Sequence, residues 1–153
     1  MKNIILDIGD IVVPNEPAIL ETILGSCVST CLWDEKLHIG GMNHFMLPKI
    51  TRDVKSGCVG TESIKQLVNA LLKMGSNMKH VRAKLFGGNR VIQGFSYDLD
   101  VGRENVRIAK DMLKEYKIPI INEFIQQDYG IKLVFHTDTG KAFIKELSLD
   151  VMC

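Results

Sequence analysis

The apolar residues of this chain lie in short runs, and only two of these runs repeat with the period of a helix. Short runs rich in β-branched residues are typical of strands. The predicted strands cover residues 3–6, 28–33, 37–47, 81–86, 118–124, 131–136 and 142–147. Most connections between them are too short for the crossover helices that parallel strands require. We therefore expect a layered α/β sandwich of the α+β type, with a mixed, largely antiparallel sheet.

Segments 61–74 and 103–116 are predicted to be helices, because each has a single apolar stripe and one charged face. Thr61 is the expected N-cap of the first helix, and Gly75 marks its expected end. The residues Thr-Asp-Thr-Gly at 137–140 are typical of a hairpin turn between the last two strands. Both helices are expected to lie with their apolar faces on the sheet.

Composition and charge indicate one globular domain over residues 1–153, with ordinary apolar (46%) and charged (24%) fractions. The net charge of +1 offers no basic face for nucleic acid, which requires neutralised phosphates. No apolar run approaches the roughly 20 residues of a membrane span, and Asp7 comes too early for a secretion signal. We expect a cytoplasmic protein that binds no nucleic acid and inserts into no membrane.

Residues 24–47 are the most informative segment, because a thiol directly follows a Gly-Ser turn and begins an apolar strand. After a polar break a second strand follows. With residues 35 and 36 at the tip of a hairpin, Cys27 lies directly opposite His44, and Cys31 opposite Gly40. Opposed residues on antiparallel strands have Cβ atoms roughly 4.5–5.5 Å apart on one face, whereas a one-residue slip separates them. This arrangement predicts a Cys27–His44 dyad.

A thiol beside an imidazole is a candidate nucleophile, because the thiolate is the reactive form and a neighbouring His stabilises it. The small residues Gly25 and Ser26 allow backbone N–H groups to approach a reacting carbonyl, as an oxyanion hole or substrate pocket requires. A Cys and a His in apolar strands are also common core residues, and the residues alone leave both interpretations open. Cys31 and Cys58 are expected to be passive thiols, and Cys153 a frayed terminal residue.

A zinc site is the competing interpretation, because Cys27, Cys31, His38 and His44 have the spacing C-x3-C-x6-H-x5-H. The predicted strand argues against it. Residues four apart on a strand are about 13 Å apart, whereas each Zn–S bond measures roughly 2.3 Å. We expect the chain to require neither a metal nor an organic cofactor.

The run LGSCVSTCLWD, continued by IGGMNHFMLP, strongly resembles the CheD family of chemoreceptor glutamine deamidases. Members of that family have a similar Gly-Ser-Cys turn, strand, hairpin and Gly-Met-x-His-x-Met-Leu-Pro ending. Three further segments are similar to family motifs: KLFGG at 84–88, DVGREN at 100–105 and the terminal Thr-Gly hairpin. The resemblance therefore extends through most of the chain.

The resemblance implies a fold similar to the catalytic domain of the cytotoxic necrotizing factor toxins. It implies deamidation of glutamine side chains of methyl-accepting chemoreceptors to glutamate, through a thioester intermediate, in chemotaxis adaptation. The family nucleophile falls on Cys27 and the family His on His44. A third residue, a Thr that orients the imidazole, best matches Thr22, with Glu21 as the neighbouring candidate. The resemblance also implies a CheC-type phosphatase as a partner where the host encodes one.

The chain departs from the family pattern at Asn89, where a small residue is usual, at Gln126-Gln127, and at 130–132. These departures lie outside the dyad and concern the choice of substrate or partner. The alternative function is a non-catalytic binding module for chemoreceptors or for a CheC-type phosphatase.

Overall fold

The computed structural model of the chain describes residues 1–46, 55–90 and 98–147, with side chains described from residue 101 onward in the last range. Leu47 and Pro48, which end the predicted second strand and its motif, and Cys153 lie outside the described residues. The strands within these ranges are β1 Lys2–Ile5, β2 Ile11–Val12, β3 Ala18–Leu24, β4 Val28–Asp34, β5 Ile39–Asn43, β6 Val81–Gly87, β7 Ile120–Ile125, β8 Ile131–His136 and β9 Ala142–Glu146. The helices are α1 Gly60–Lys73 and α2 Asp98–Glu115, with short 3-10 turns at Ser56–Cys58 and Met78–His80.

The strands form two mixed sheets. The five-stranded sheet has the order β2-β5-β4-β6-β7, and only its β6–β7 pair is parallel. The four-stranded sheet has the order β1-β3-β8-β9, and only its β1–β3 pair is parallel. The expected mixed, largely antiparallel α/β architecture is therefore confirmed. It contains two sheets where the sequence indicated one.

Strand β4 lies at the centre of three layers. Its residues Val28 and Leu32 pack with apolar residues of α1 and α2, whereas Cys27 and Cys31 pack against the four-stranded sheet. Helices therefore cover one face of the five-stranded sheet, and the second sheet covers the other. A strand that is buried on both faces reads as a nearly continuous apolar run, as β4 does.

The predicted helices are present with shifted beginnings. Helix α1 begins at Gly60, with Val59 rather than the predicted Thr61 in the N-cap position. It ends before Gly75, whose φ of 95° is the left-handed conformation typical of the residue after a helix. Helix α2 begins at residue 98, five residues before its predicted start. No helix in the described ranges has the length and apolarity to span a membrane.

Two strands were not predicted, β2 and β3. Strand β3 has buried residues at even positions (Ala18, Leu20, Leu24) and partly exposed ones between them. The period-two signal was weak because the outward positions include Ile19 and Ile23, which are apolar as well.

The predicted register of the β4–β5 hairpin is wrong by two residues. Cys31 lies opposite Met42, not Gly40, and Asp34 lies opposite Ile39. The loop has four residues instead of two, because the Asp34 carboxylate accepts the backbone N–H groups of Lys36 and Leu37 at 2.9 Å. An Asp in this position favours a turn of this length. A shift of two keeps every side chain on its predicted face.

Candidate active site

The turn between β3 and β4 holds the nucleophile candidate, and each of its carbonyl groups accepts a hydrogen bond. The backbone N–H of Gly88 donates to Cys27 (2.8 Å), and that of Asn89 donates to Gly25 (2.9 Å). The side-chain amide of Asn105 on α2 donates to the carbonyl of Ser26 (3.0 Å). The turn is therefore fixed by the end of β6 on one side and by α2 on the other.

Gly87 has to be a glycine because of this turn. Its φ is 100°, and a Cβ at this position would lie 2.2 Å from the carbonyl oxygen of Cys27. The Gly87-Gly88 pair, both with positive φ, thus borders the nucleophile candidate directly.

Asn89, one of the departures from the family pattern, supports the same turn. Its side-chain amide donates to the carbonyl of Leu24 (3.3 Å), and its oxygen accepts from the backbone N–H of Gln127 (3.0 Å). Gln127 is itself a departure, so the two changes are in contact. Sequence reasoning did not assign Asn89 or Asn105 to the site. The available signal was a polar residue following a Gly-Gly turn.

Cys27 and His44 face the same layer of the molecule. The residues that follow them, Val28 and Phe45, form a bridge with two backbone hydrogen bonds of 2.9 Å each. Val28 and Phe45 face the helices, so the preceding residues face the four-stranded sheet. The predicted direct opposition is wrong, because Cys27 and His44 are diagonal neighbours. Such neighbours are roughly 7–8 Å apart, with shorter Cβ separations, within reach of long and aromatic side chains.

Thr22 lies against the His44 ring and determines its tautomer. The Thr22 hydroxyl donates to the carbonyl of Leu6 (2.8 Å), and its oxygen is 2.6 Å from His44 Nδ1. A hydroxyl has one proton to donate, so Nδ1 carries the proton of the second bond. In the neutral ring Nε2 is then the unprotonated nitrogen. It is buried, with no hydrogen-bond partner among the described residues.

The backbone of His44 is fixed on the side away from β4. Its N–H donates to the carbonyl of Asp10 (3.1 Å), and its carbonyl accepts from Gly9 (2.7 Å). Burial alone would raise the pKa of the Asp10 carboxyl. Hydrogen bonds from Asp7 and Lys55 outweigh burial and lower this pKa, with a further contribution from His44. His44 therefore has a rigid backbone and a ring held from the second sheet.

The side chain of the neighbouring Asn43 takes the place of a backbone carbonyl in the hydrogen bonding between β4 and β5. Its side-chain oxygen accepts from the backbone N–H of Thr30 (2.7 Å), and its amide donates to the hydroxyl of Ser63 on α1 (3.0 Å). The β4–β5 pairing is thus irregular beside His44, whose backbone bonds to Gly9 and Asp10 and not to β4.

The remaining thiols have different environments. Cys31 is buried on the same face of β4, and burial raises the pKa of its thiol, which the charge of Lys84 offsets only in part. Cys58 is half-buried beside Gly9. The predicted passive role of Cys31 agrees with its environment, because a protonated buried thiol is a weak nucleophile.

The residues of the zinc interpretation do not converge. His38 stacks on Trp33 at the hairpin turn, with ring centroids 5.3 Å apart, whereas Cys27 and His44 lie at the other end of β4. Within the described parts of the chain, no three His, Cys, Asp or Glu side chains cluster as a metal site requires.

Comparisons with known proteins show one family. The model of the family described as "CheD chemotactic sensory transduction" matches residues 46–146, a region that begins after Thr22, Cys27 and His44. A "Probable chemoreceptor glutamine deamidase CheD 1" of Anaeromyxobacter dehalogenans is 40% identical and covers 93% of this chain and 83% of its own. A protein of the same name from Albidiferax ferrireducens is 36% identical, over 92% of this chain and 59% of its own.

Two further comparisons extend this result. A "Probable chemoreceptor glutamine deamidase CheD" of Rhizobium meliloti is 40% identical over 88% of this chain and 74% of its own. The crystal structure of the Bacillus licheniformis hypothetical protein YfiH overlaps 77% of this chain and 51% of its own at 14% identity. The TM-score of this overlap is 0.49. The family model matches more than half of the chain, and the first relative is 40% identical over 93% of it. The chain therefore belongs to the CheD family.

Proposed function

We propose that this chain is a cysteine-dependent amidohydrolase that deamidates glutamine side chains of methyl-accepting chemoreceptors. The observation that carries the proposal is the hydrogen-bonded His44, whose unprotonated Nε2 lies on the same sheet face as the Cys27 thiol. The names of the relatives supply the substrate class. Thr22 supports the proposal further, because its hydroxyl orients the His44 imidazole.

The acylation step uses both members of the dyad. The Cys27 proton moves to His44 Nε2, and the sulfur forms a bond to the γ-carboxamide carbon of a glutamine. The amide π electrons move to the oxygen, which backbone N–H groups of the turn at Gly25 and Ser26 stabilise. The C–N bond then breaks as Nε2 returns the proton to the nitrogen, which releases ammonia and leaves a thioester.

Deacylation repeats these movements with water. His44 Nε2 takes a proton from water, the oxygen bonds to the thioester carbon, and the C–S bond breaks as Nε2 returns the proton to the sulfur. The products are glutamate and the free enzyme. The Thr22 hydroxyl accepts from Nδ1 throughout, so it stabilises the imidazolium of each step and retains the productive tautomer.

Asn105 and Gly88 support the reaction by fixing the turn between β3 and β4, called here the nucleophile turn, which contains Cys27. Because the Ser26 carbonyl is held by Asn105, the trans peptide that joins Ser26 to Cys27 has a fixed plane. The Cys27 thiol and the His44 ring are almost fully buried. A glutamine side chain therefore reaches the sulfur only when neighbouring side chains move aside.

The setting of this activity follows from the same proposal. We propose a cytoplasmic location, because the proposed substrate is the cytoplasmic part of a chemoreceptor, and a fold related to the catalytic domain of the cytotoxic necrotizing factor toxins, as the family resemblance implies. A CheC-type phosphatase is the proposed regulatory partner. The alternative, a non-catalytic binding module, gives no reason for the orientation of the His44 ring by Thr22.

Ammonia release from a purified chemoreceptor cytoplasmic fragment tests the proposal. We expect the wild-type chain to release ammonia and to raise the mass of each modified glutamine by about one dalton, as conversion of an amide to an acid requires. Cys27→Ala should lower the rate by at least about 10³-fold, whereas the matched control Cys31→Ala retains it. A folded wild-type chain that binds the fragment but releases nothing would favour the binding module.

A further inference from the structure

Ser29 has a buried hydroxyl that the mechanism above does not use. The residue is 0% exposed, and its Oγ has no hydrogen-bond partner among the described residues. An unpaired buried hydroxyl lowers stability, so native proteins rarely retain one without a reason. Ser29 is in β4, two residues after Cys27, and its side chain therefore points to the same face as the thiol.

The strand register brings Ser29 to His44. The pairs Val28–Phe45 and Cys31–Met42 are both observed, so Ser29 is the residue directly across from His44. Val28 and Phe45 exchange both backbone bonds, and His44 bonds instead to Gly9 and Asp10 on its other side. Ser29 and His44 thus occupy the non-hydrogen-bonded position of this register, between the Val28–Phe45 bridge and the point where the Asn43 side chain interrupts the ladder.

Two unpartnered polar atoms consequently belong to neighbouring residues on one face, Ser29 Oγ and His44 Nε2, without a hydrogen bond between them in this structure. Cys27 and His44 are diagonal neighbours, whereas Ser29 is adjacent to each of them, along the strand to one and across it to the other. A hydroxyl has one donor and two acceptor positions, so it can serve both groups at once.

We propose that Ser29 is a positioning residue that bridges the thiolate and the imidazolium of the dyad. When the proton has moved from Cys27 to His44 Nε2, the Ser29 hydroxyl donates to the sulfur and accepts from the new Nε2–H. No proton leaves Ser29 in this step. The role of Ser29 in deamidation rests on the proposed function. Its effect on the ionisation of the Cys27 thiol does not.

Among the residues that the structure describes, few charged or titratable groups surround this pair. Asp10, in the segment before β2, interacts electrostatically with His44, and its carboxylate is paired with Lys55. On the sheet face, Cys31 follows on β4, and Lys84 on β6 extends to the carbonyl of Gly140. The substitution of Ser29 changes none of these charges.

The test measures the alkylation rate of Cys27 by iodoacetamide as a function of pH, in a Cys31→Ala background. This background is needed because trypsin leaves both thiols on one peptide that ends at Lys36. Ser29→Ala should shift the midpoint of the pH profile upward by about one unit, the value of one strong hydrogen bond to a charged group. The rate at neutral pH should then fall by roughly tenfold.

Thr30→Val is the matched control, because Thr30 has a buried hydroxyl that is equally unpartnered and lies on the opposite face of the same strand. Its profile should coincide with that of the background, and Ser29→Thr should restore the midpoint. A common midpoint for all variants, or an equal shift in Ser29→Ala and Thr30→Val, overturns the proposal. Absence of deamidation in the wild type, with the Ser29 shift present, would refute only the proposed function.

Discussion

The two ends of strand β4 differ in how their polar groups are satisfied. At the turn end, Asp34 accepts three hydrogen bonds, from Lys36, Leu37 and Ser76. Beside it, the ring N–H of Trp33 donates to a carbonyl of the β8–β9 turn. At the other end, the hydroxyls of Ser29 and Thr30 and the Nε2 of His44 are buried without partners among the described residues.

This difference distinguishes a structural end of the strand from the end that carries the proposed dyad, called here the reactive end. Fully paired polar groups stabilise a unique fold, whereas unpaired buried groups lower stability and persist where chemistry needs them. The acceptor lone pair of His44 is available to a proton because no group of the described fold uses it. The contrast therefore predicts that substitutions at the turn end change stability and that substitution of Ser29 or His44, which share a face with Cys27, changes the rate, whereas Thr30 on the opposite face does not.

The largest effect is expected at Asp34. Asp34→Ala should lower the free energy of unfolding by about 3 kcal/mol, because a charged acceptor of three hydrogen bonds is removed. Activity per folded molecule should remain within about twofold. Urea denaturation and ammonia release measure the two quantities. Asp128→Ala, which breaks an exposed ion pair with Arg90, is the control and should change stability by at most about 0.5 kcal/mol.

The contrast fails for this strand if Asp34→Ala abolishes activity in a protein that remains folded. An effect of that kind would mean that the turn end also orders the dyad, across the length of β4.

The next effect is expected at Thr22. Thr22→Val should lower kcat by roughly ten- to a hundredfold with little change in KM, because His44 Nδ1 loses the acceptor that sets its tautomer. Thr22→Ser retains the hydroxyl and should remain close to wild type. Steady-state kinetics on a chemoreceptor fragment decide between them. Equal kcat values for Val and Ser would show that the bond is structural only, through the carbonyl of Leu6.

The smallest effect is expected in the loss of stability at acidic pH, through the Asp34 carboxyl. Burial alone would raise the pKa of Asp34, but the hydrogen bonds from Ser76 and from the turn outweigh it and lower the pKa. A lowered carboxyl pKa contributes stability that is present above the unfolded pKa of about 3.9 and is lost as pH falls through the folded value.

Asp34→Asn, which cannot titrate, should therefore show a flatter decline of unfolding free energy between neutral and acidic pH. Urea denaturation at several pH values measures the slopes. Parallel slopes for the wild type and Asp34→Asn would assign the acid sensitivity to other carboxyls.

The sequence placed Cys27 and His44 on the correct face of the sheet even though the register assumed for the hairpin was wrong. The alternation of β4 and β5 placed Cys27 and His44 on one face, and the two-residue error in the loop left that result intact. The error arose because Asp34 closes a four-residue turn, which a search for short turn motifs overlooks. The strand that carries Thr22 was not predicted, and Thr22 itself came only from the family resemblance.

The sequence alone determined which residues share a face of β4, because the period of a strand is a local property of the backbone. It also determined the family, through motifs that extend along most of the chain. Only the tertiary structure decided what those faces meet. The packing of one sheet on the other brings Thr22 to the His44 ring, and α2 brings Asn105 to the nucleophile turn. Contacts between distant segments depend on the relative placement of whole layers, which no local pattern specifies.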